Sequence, residues 1–117
     1  LGGYDCRLVP GTKAAAAYGT EMARERHRHR YEVNNALLPQ LEQAGLVVAG
    51  RDAESGLVEI CELRGHPFMV GAQFHPEFTS RPNQPNPLFR DFIGAAVEYH
   101  RARASKGAPA STASGVA

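Results

Sequence analysis

The chain has 117 residues, 43% of them hydrophobic and 21% charged, the make-up of one folded domain rather than of a disordered segment. Thirteen Lys and Arg stand against twelve Asp and Glu, so no global charge draws the chain to nucleic acid or to an anionic membrane. It holds no apolar run of about 18 residues to span a bilayer and no secretory leader pattern, and two cysteines are too few for a disulfide framework or a zinc ribbon, so the expected setting is reducing and cytoplasmic.

Taken in chain order, Pro10-Gly11-Thr12 reads as a turn ending in a helix N-cap. An Ala-rich helix follows over Lys13 to Tyr18, closed by Gly19. Arg26 to Val33 reads as extended. Asn34 and Asn35 offer caps to a helix over Ala36 to Ala44, in which Leu37, Leu38 and Leu41 share a face. Pro39 fits its first turn and Gly45 ends it. Leu46 to Ala49 and Leu57 to Leu63 read as strands around a turn near Asp52 to Gly56. Phe68 to Phe74 is almost wholly apolar, as expected of a strand covered on both faces. A Pro-punctuated loop leads to a last helix from Leu88, with Leu88, Phe89, Phe92, Ile93, Ala96 and Val97 on one stripe. Residues 105–117 are mostly Ala, Ser, Gly and Pro and are expected to form a disordered tail. Strands mixed with flanking helices favour an α/β layer architecture, which places its sites at strand C-termini.

His75-Pro76-Glu77 follows the apolar run. In extended chain, residues two apart face the same side, so an imidazole and a carboxylate can share one cleft. A carboxylate selects the tautomer of a histidine acting as general base. A plain loop after a core strand accounts for the tripeptide as well. The second segment is Arg24 to Asn35, in which Arg26, Arg28 and Arg30 alternate with His27, His29 and Tyr31. Three readings stand: a charged edge strand that resists pairing, an anion- or RNA-binding face, or a metal site from His27 and His29 needing a third ligand that the sequence does not single out. Cys61 lies within a strand, and Cys6 lacks the glycine neighbours of a tight strand-to-helix turn. Neither reads as a nucleophile.

Together the segments resemble a known family. Glu25-Arg26-His27-Arg28-His29-Arg30-Tyr31-Glu32-Val33-Asn34-Asn35 is similar to the signature segment of the CTP synthases. Gln73-Phe74-His75-Pro76-Glu77-Phe78 resembles the closing motif of their class I glutamine amidotransferase domain, and Pro87-Leu88-Phe89-Arg90-Asp91-Phe92-Ile93 the helix after it. Leu1-Gly2-Gly3-Tyr4 and Ala17-Tyr18-Gly19 resemble the approach to the signature. The likeness covers residues 1–104.

The resemblance implies a partial class I glutamine amidotransferase domain of flavodoxin-like α/β fold. It implies an enzyme that makes CTP from UTP, ATP and ammonia, the ammonia coming from glutamine through a Cys-His-Glu triad. His75 would be the base, Glu77 its orienting partner and Arg30 the glutamine-binding position. No Gly-x-Cys-x-Gly elbow occurs in the chain and it does not start with Met, so the expectation is the C-terminal part of a longer ligase, inactive and marginally folded alone. The implied partners are glutamine, an N-terminal synthase domain and, in full length, a homotetramer, with no nucleic acid and no membrane. ATP, Mg2+ and the activator GTP are expected to be used by the full-length family. No cofactor or metal is assigned to this portion. The alternatives are another class I amidotransferase or a small anion- or RNA-binding module using the Arg24 to Arg30 run.

Overall fold

The computed structural model describes residues 2–114, with side chains described for residues 2–105. The expected tail lies outside the described side chains from residue 106 and outside the described backbone from residue 115. Five strands form one sheet: β1 (Gly2–Leu8), β2 (Met22–His27), β3 (Leu46–Asp52), β4 (Val58–Leu63) and β5 (Val70–Ala72). Their order is β2-β1-β3-β4-β5, and every neighbouring pair is antiparallel. Three helices flank it: α1 (Lys13–Tyr18), α2 (Leu38–Gln43) and α3 (Pro87–Ser114).

The local signals for α1 work as expected. The Thr12 hydroxyl accepts from the Ala15 amide and replaces a missing intrahelical partner, and Gly19 closes the helix at φ 71°, a left-handed conformation that suits a residue without Cβ. Glu62 on β4 adds a long-range cap, its two oxygens accepting from the amides of Lys13 (3.1 Å) and Ala14 (2.6 Å). A carboxylate thus meets the positive end of the helix. The Asn34 side chain caps a single 3₁₀ turn, Asn35–Leu37, ahead of α2, and Pro39 sits in the first turn of α2.

Two small cores flank the sheet. Cys6, Leu8, Ala49, Ile60, Phe74 and Leu88 pack with Ala14 and Ala17 of α1, while Leu38 of α2 packs on Val48 and Val58. Sequence neighbours Val48/Ala49 and Ile60/Cys61 divide between the two clusters, as strand alternation requires. Gly50 lets β3 approach β1 and β4 closely, since a Cβ there would lie 2.7 Å from the Cys6 sulfur.

Several expectations are corrected. The strand in the basic segment is Met22–His27, earlier than Arg26 to Val33, and residues 28–34 have no regular structure. Its described pairing with β1 runs to Gly2↔His27, and beyond it His29 Nε2 lies 3.3 Å from Glu59 of β4. The Phe68 to Phe74 run is not a strand covered on both faces: only Val70–Ala72 pairs, at the sheet edge, and Met69 is 51% exposed. Its apolar character is used at Phe74, which is buried beyond the strand end. In α2 only Leu38 is buried, with Leu37 and Leu41 exposed. The α3 stripe forms, but beyond the buried Leu88 it is open: Phe92 is 53% and Ile93 57% exposed. Among the described residues no helix is long and apolar enough to cross a membrane.

Candidate functional site

His75 and Glu77 come together. His75 is extended (φ −108°, ψ 91°) and a 3₁₀ turn, Pro76–Phe78, begins immediately after it. The contact therefore arises from a turn rather than from an extended tripeptide. Nδ1 of His75 lies 2.7 Å from Oε2 of Glu77, and both side chains are about half exposed. The bond to His75 holds the Glu77 carboxyl below its ordinary pKa. Phe78 stacks on the imidazole at 5.1 Å, with the rings 22° apart, and so fixes its plane. An imidazole with Nδ1 on a carboxylate presents Nε2 for proton transfer, the arrangement a general base requires.

The loop is anchored from several sides. The His75 amide donates to the Arg26 carbonyl at 2.9 Å, tying it to β2. Glu25, buried one residue earlier on β2, accepts from Tyr18 Oη, Thr79 Oγ1 (2.7 Å) and Asn86 Nδ2 (2.7 Å). One carboxylate therefore joins α1, β2, the end of the His75 loop and the residue before α3. Asn86 Oδ1 in turn accepts from the Leu88 amide in the first turn of α3. Burial and the Glu25 contact raise the Tyr18 pKa, so its hydroxyl stays a donor.

Strand alternation sorts the basic segment as expected only as far as His27, and Tyr31, expected on the face of His27 and His29, is 84% exposed. Glu25 and His27 are buried, while Arg24, Arg26, Arg28 and Arg30 are exposed. Arg30 makes no hydrogen bond or ion pair to His75 or Glu77 among the described residues, but its neighbour is tethered to their segment. The Tyr31 carbonyl accepts from Gln73 Nε2 at 3.0 Å, two residues before His75. Arg26 and Arg28, with Gly2 and Phe78, line a groove of about 360 Å³, and Phe78 is the residue that stacks on His75. Arginine forks at such a groove suit a carboxylate or phosphate.

The cysteines do not reach this site. Cys6 is fully buried, and burial, then the charge of Glu59, pushes its thiol up to about 12. Cys61 is half-buried in β4 and is also raised, chiefly by burial. Neither is thiolate near neutral pH, and no hydrogen bond joins either to His75 among the described residues.

A second polar cluster lies where β2 ends. His27 Nδ1 and His29 Nε2 are 2.9 Å apart, and Glu59 Oε1 of β4 is 3.5 Å from the first and 3.3 Å from the second. Burial, then His29 beside it, lowers the His27 pKa, and burial with Glu32 and Asp52 pushes Glu59 up to about 7. The 3.5 Å approach of His27 to Glu59 is thus a meeting of two buried polar groups rather than a firm ion pair. Glu59 is the third partner that the sequence left unnamed; the available signal was an acidic residue inside the strand Leu57 to Leu63. The role of Glu25 was equally hidden, because its partners Thr79 and Asn86 are 54 and 61 residues away.

The chain is similar to known proteins. The profile of the family "Glutamine amidotransferase class-I" matches residues 5–95. The CTP synthase of Symbiobacterium thermophilum is 65% identical over 99 residues, 85% of this chain and 18% of that protein. The CTP synthase of Roseiflexus castenholzii is 62% identical over 101 residues, 86% of this chain and 18% of that protein. The chain thus spans about a fifth of the length of the curated relatives it matches. Among solved structures, the Trypanosoma brucei CTPS glutaminase domain with bound acivicin superposes with a TM-score of 0.78 at 36% identity, over 84% of this chain and 39% of that one.

Proposed function

The chain belongs to the class-I glutamine amidotransferase family, and from that premise we propose that it is the C-terminal part of the glutaminase domain of a CTP synthase. In this reading His75 is the general base, Glu77 orients it and Arg30 binds the substrate's carboxylate. The observation that carries the proposal is the 2.7 Å contact of His75 Nδ1 with Glu77, on a ring open to solvent.

The family resemblance supplies the chemistry that such a histidine would serve. A thiol attacks the glutamine side-chain amide, and the imidazole takes the thiol proton and returns it to the departing ammonia. Water then cleaves the thioester, with His75 again as base, and glutamate leaves. The thiol comes from another part of the protein, since Cys6 and Cys61 are held as thiols away from the imidazole. The whole protein's reaction joins the released ammonia to UTP with ATP, and the nucleotides, Mg2+ and the activator GTP are used beyond these 117 residues. Glutamine and a synthase domain are accordingly its partners.

The test separates the two nitrogen sources. In the intact protein, His75→Ala abolishes glutamine-dependent CTP formation and leaves synthesis from free ammonia largely intact. Arg30→Ala mainly raises the KM for glutamine. Equal loss with both nitrogen sources would show that the fold, not a glutaminase site, had been hit. The 117-residue chain alone releases no glutamate from glutamine; sustained release abolished by His75→Ala would overturn that part.

A second reading, an anion- or RNA-binding surface, is favoured by one observation: exposed Arg26 and Arg28 line a groove. Salt-sensitive RNA binding lost in an Arg26→Ala/Arg28→Ala variant would support it over the glutaminase.

A further inference from the structure

We propose that His27, His29 and Glu59 form a binding site for a divalent first-row transition ion such as Zn2+, with Glu32 behind His29 as the outer carboxylate. The three donor atoms, His27 Nδ1, His29 Nε2 and Glu59 Oε1, lie 2.9, 3.3 and 3.5 Å apart. Zinc bonds of about 2.0–2.2 Å at tetrahedral angles place neighbouring donors about 3.3–3.5 Å apart. The cluster therefore already has close to the spacing of one face of a coordination shell. Two imidazoles and a carboxylate suit Zn2+ and its neighbours better than Mg2+ or Ca2+, which prefer all-oxygen shells.

An independent observation points the same way. Glu59 Oε1 is buried with no hydrogen-bond partner among the described residues, and the Glu59 side chain is only 5% exposed. Buried polar atoms are ordinarily satisfied. Without an ion, His27 and His29 share one proton, and Glu59 Oε1 stands 3.3 and 3.5 Å from the two rings without forming a hydrogen bond. A cation satisfies all three donors together.

The surroundings agree with a ligating role. Glu32 Oε2 is 3.0 Å from His29 Nδ1, the ring nitrogen facing away from the cluster. A carboxylate behind a ligating histidine orients the ring and strengthens it as a donor. The open side of the cluster faces a cavity of about 190 Å³ whose other walls are Tyr4, Asp52 and Ser55, with room for water or a fourth ligand. An ion here would join the end of β2 to β4 and fix residues 28–34, which have no regular structure of their own.

The experiment uses the intact, nucleotide-free protein. Metal content is measured by mass spectrometry after Zn2+ loading and dialysis, affinity by competition with a chromogenic chelator, and geometry by the visible spectrum after Co2+ substitution. The wild type should hold one Zn2+ per chain more than the His29→Ala and Glu59→Gln variants and give an intense tetrahedral Co2+ band that both variants lack. Glu32→Gln should weaken Zn2+ binding by about 10–100-fold, and Zn2+ should slow proteolysis within residues 28–34. His27→Ala empties a buried ring site and confounds metal loss with misfolding, so His29→Ala and Glu32→Gln, at partly exposed positions, carry the test. Equal metal content and affinity in the wild type and these variants would overturn the proposal and leave a hydrogen-bonded cluster. So would a wild type that takes up no Zn2+.

Discussion

Glu25 offers the sharpest test of how the His75 loop is held. Replacing it with Ala leaves the part-buried Tyr18 hydroxyl and one buried Asn86 N–H without their acceptor, since both use Glu25 Oε2. Thr79 can still turn its hydroxyl to the Pro76 carbonyl at 3.3 Å. Two orphaned donors at about 1–3 kcal/mol each give a loss of about 2–6 kcal/mol. Glu25→Gln is expected to be far milder. Its carbonyl can take the Oε2 position and keep both donors, while its amide points at Thr79 Oγ1, which accepts once its own proton has turned away. What remains is the loss of charge assistance, offset by the cheaper burial of a neutral amide, for a net cost of about 1 kcal/mol. Urea unfolding midpoints of the two variants measure the difference, and amide exchange over residues 75–86 locates it. Equal destabilisation by Gln and Ala would refute the reasoning, because it would mean that these partners cannot reverse their roles.

The same exchange at Glu62 should behave differently. Its partners are the backbone amides of Lys13 and Ala14, which can only donate. Glu62→Gln is expected to cost about 1–3 kcal/mol by facing one amide with another N–H; a loss no larger than that of Glu25→Gln in urea melts would count against this. Gly50→Ala puts a methyl 2.7 Å from Cys6 Sγ and 3.0 Å from Ile60 Cδ1, both fully buried, and should cost about 1–3 kcal/mol by overpacking. In a double-mutant cycle Cys6→Ala should recover part of that loss, and strict additivity would show that the strain lies elsewhere. The His75 contact lowers the Glu77 pKa, so its stabilising effect is present above the ordinary carboxylate value of 4.5 and is lost as pH falls through the lowered one. NMR titration of the Glu77 carboxyl should move up toward the ordinary value in His75→Ala, and an unchanged midpoint would separate the two groups.

Local chemistry was legible in the residue order. Thr12 and Gly19 bound α1, Asn34 and Pro39 start the segment leading into α2, and the alternation of Arg24 to His27 sorts exposed guanidiniums from a buried ring, because each depends on neighbours within a few positions. The pairing of His75 with Glu77 was legible for the same reason, although a 3₁₀ turn rather than an extended tripeptide creates it. The motif segments also carried the family likeness. Only the tertiary structure decided that the Phe68 to Phe74 run supplies a three-residue edge strand, since an apolar run does not encode how many neighbours it will have. It also decided that Glu59 meets His27 and His29, that Glu62 caps α1 and that Glu25 holds Thr79 and Asn86. Those contacts join carboxylates to partners 30 to 61 residues distant, and sheet order and strand register, not spacing along the chain, bring them within reach.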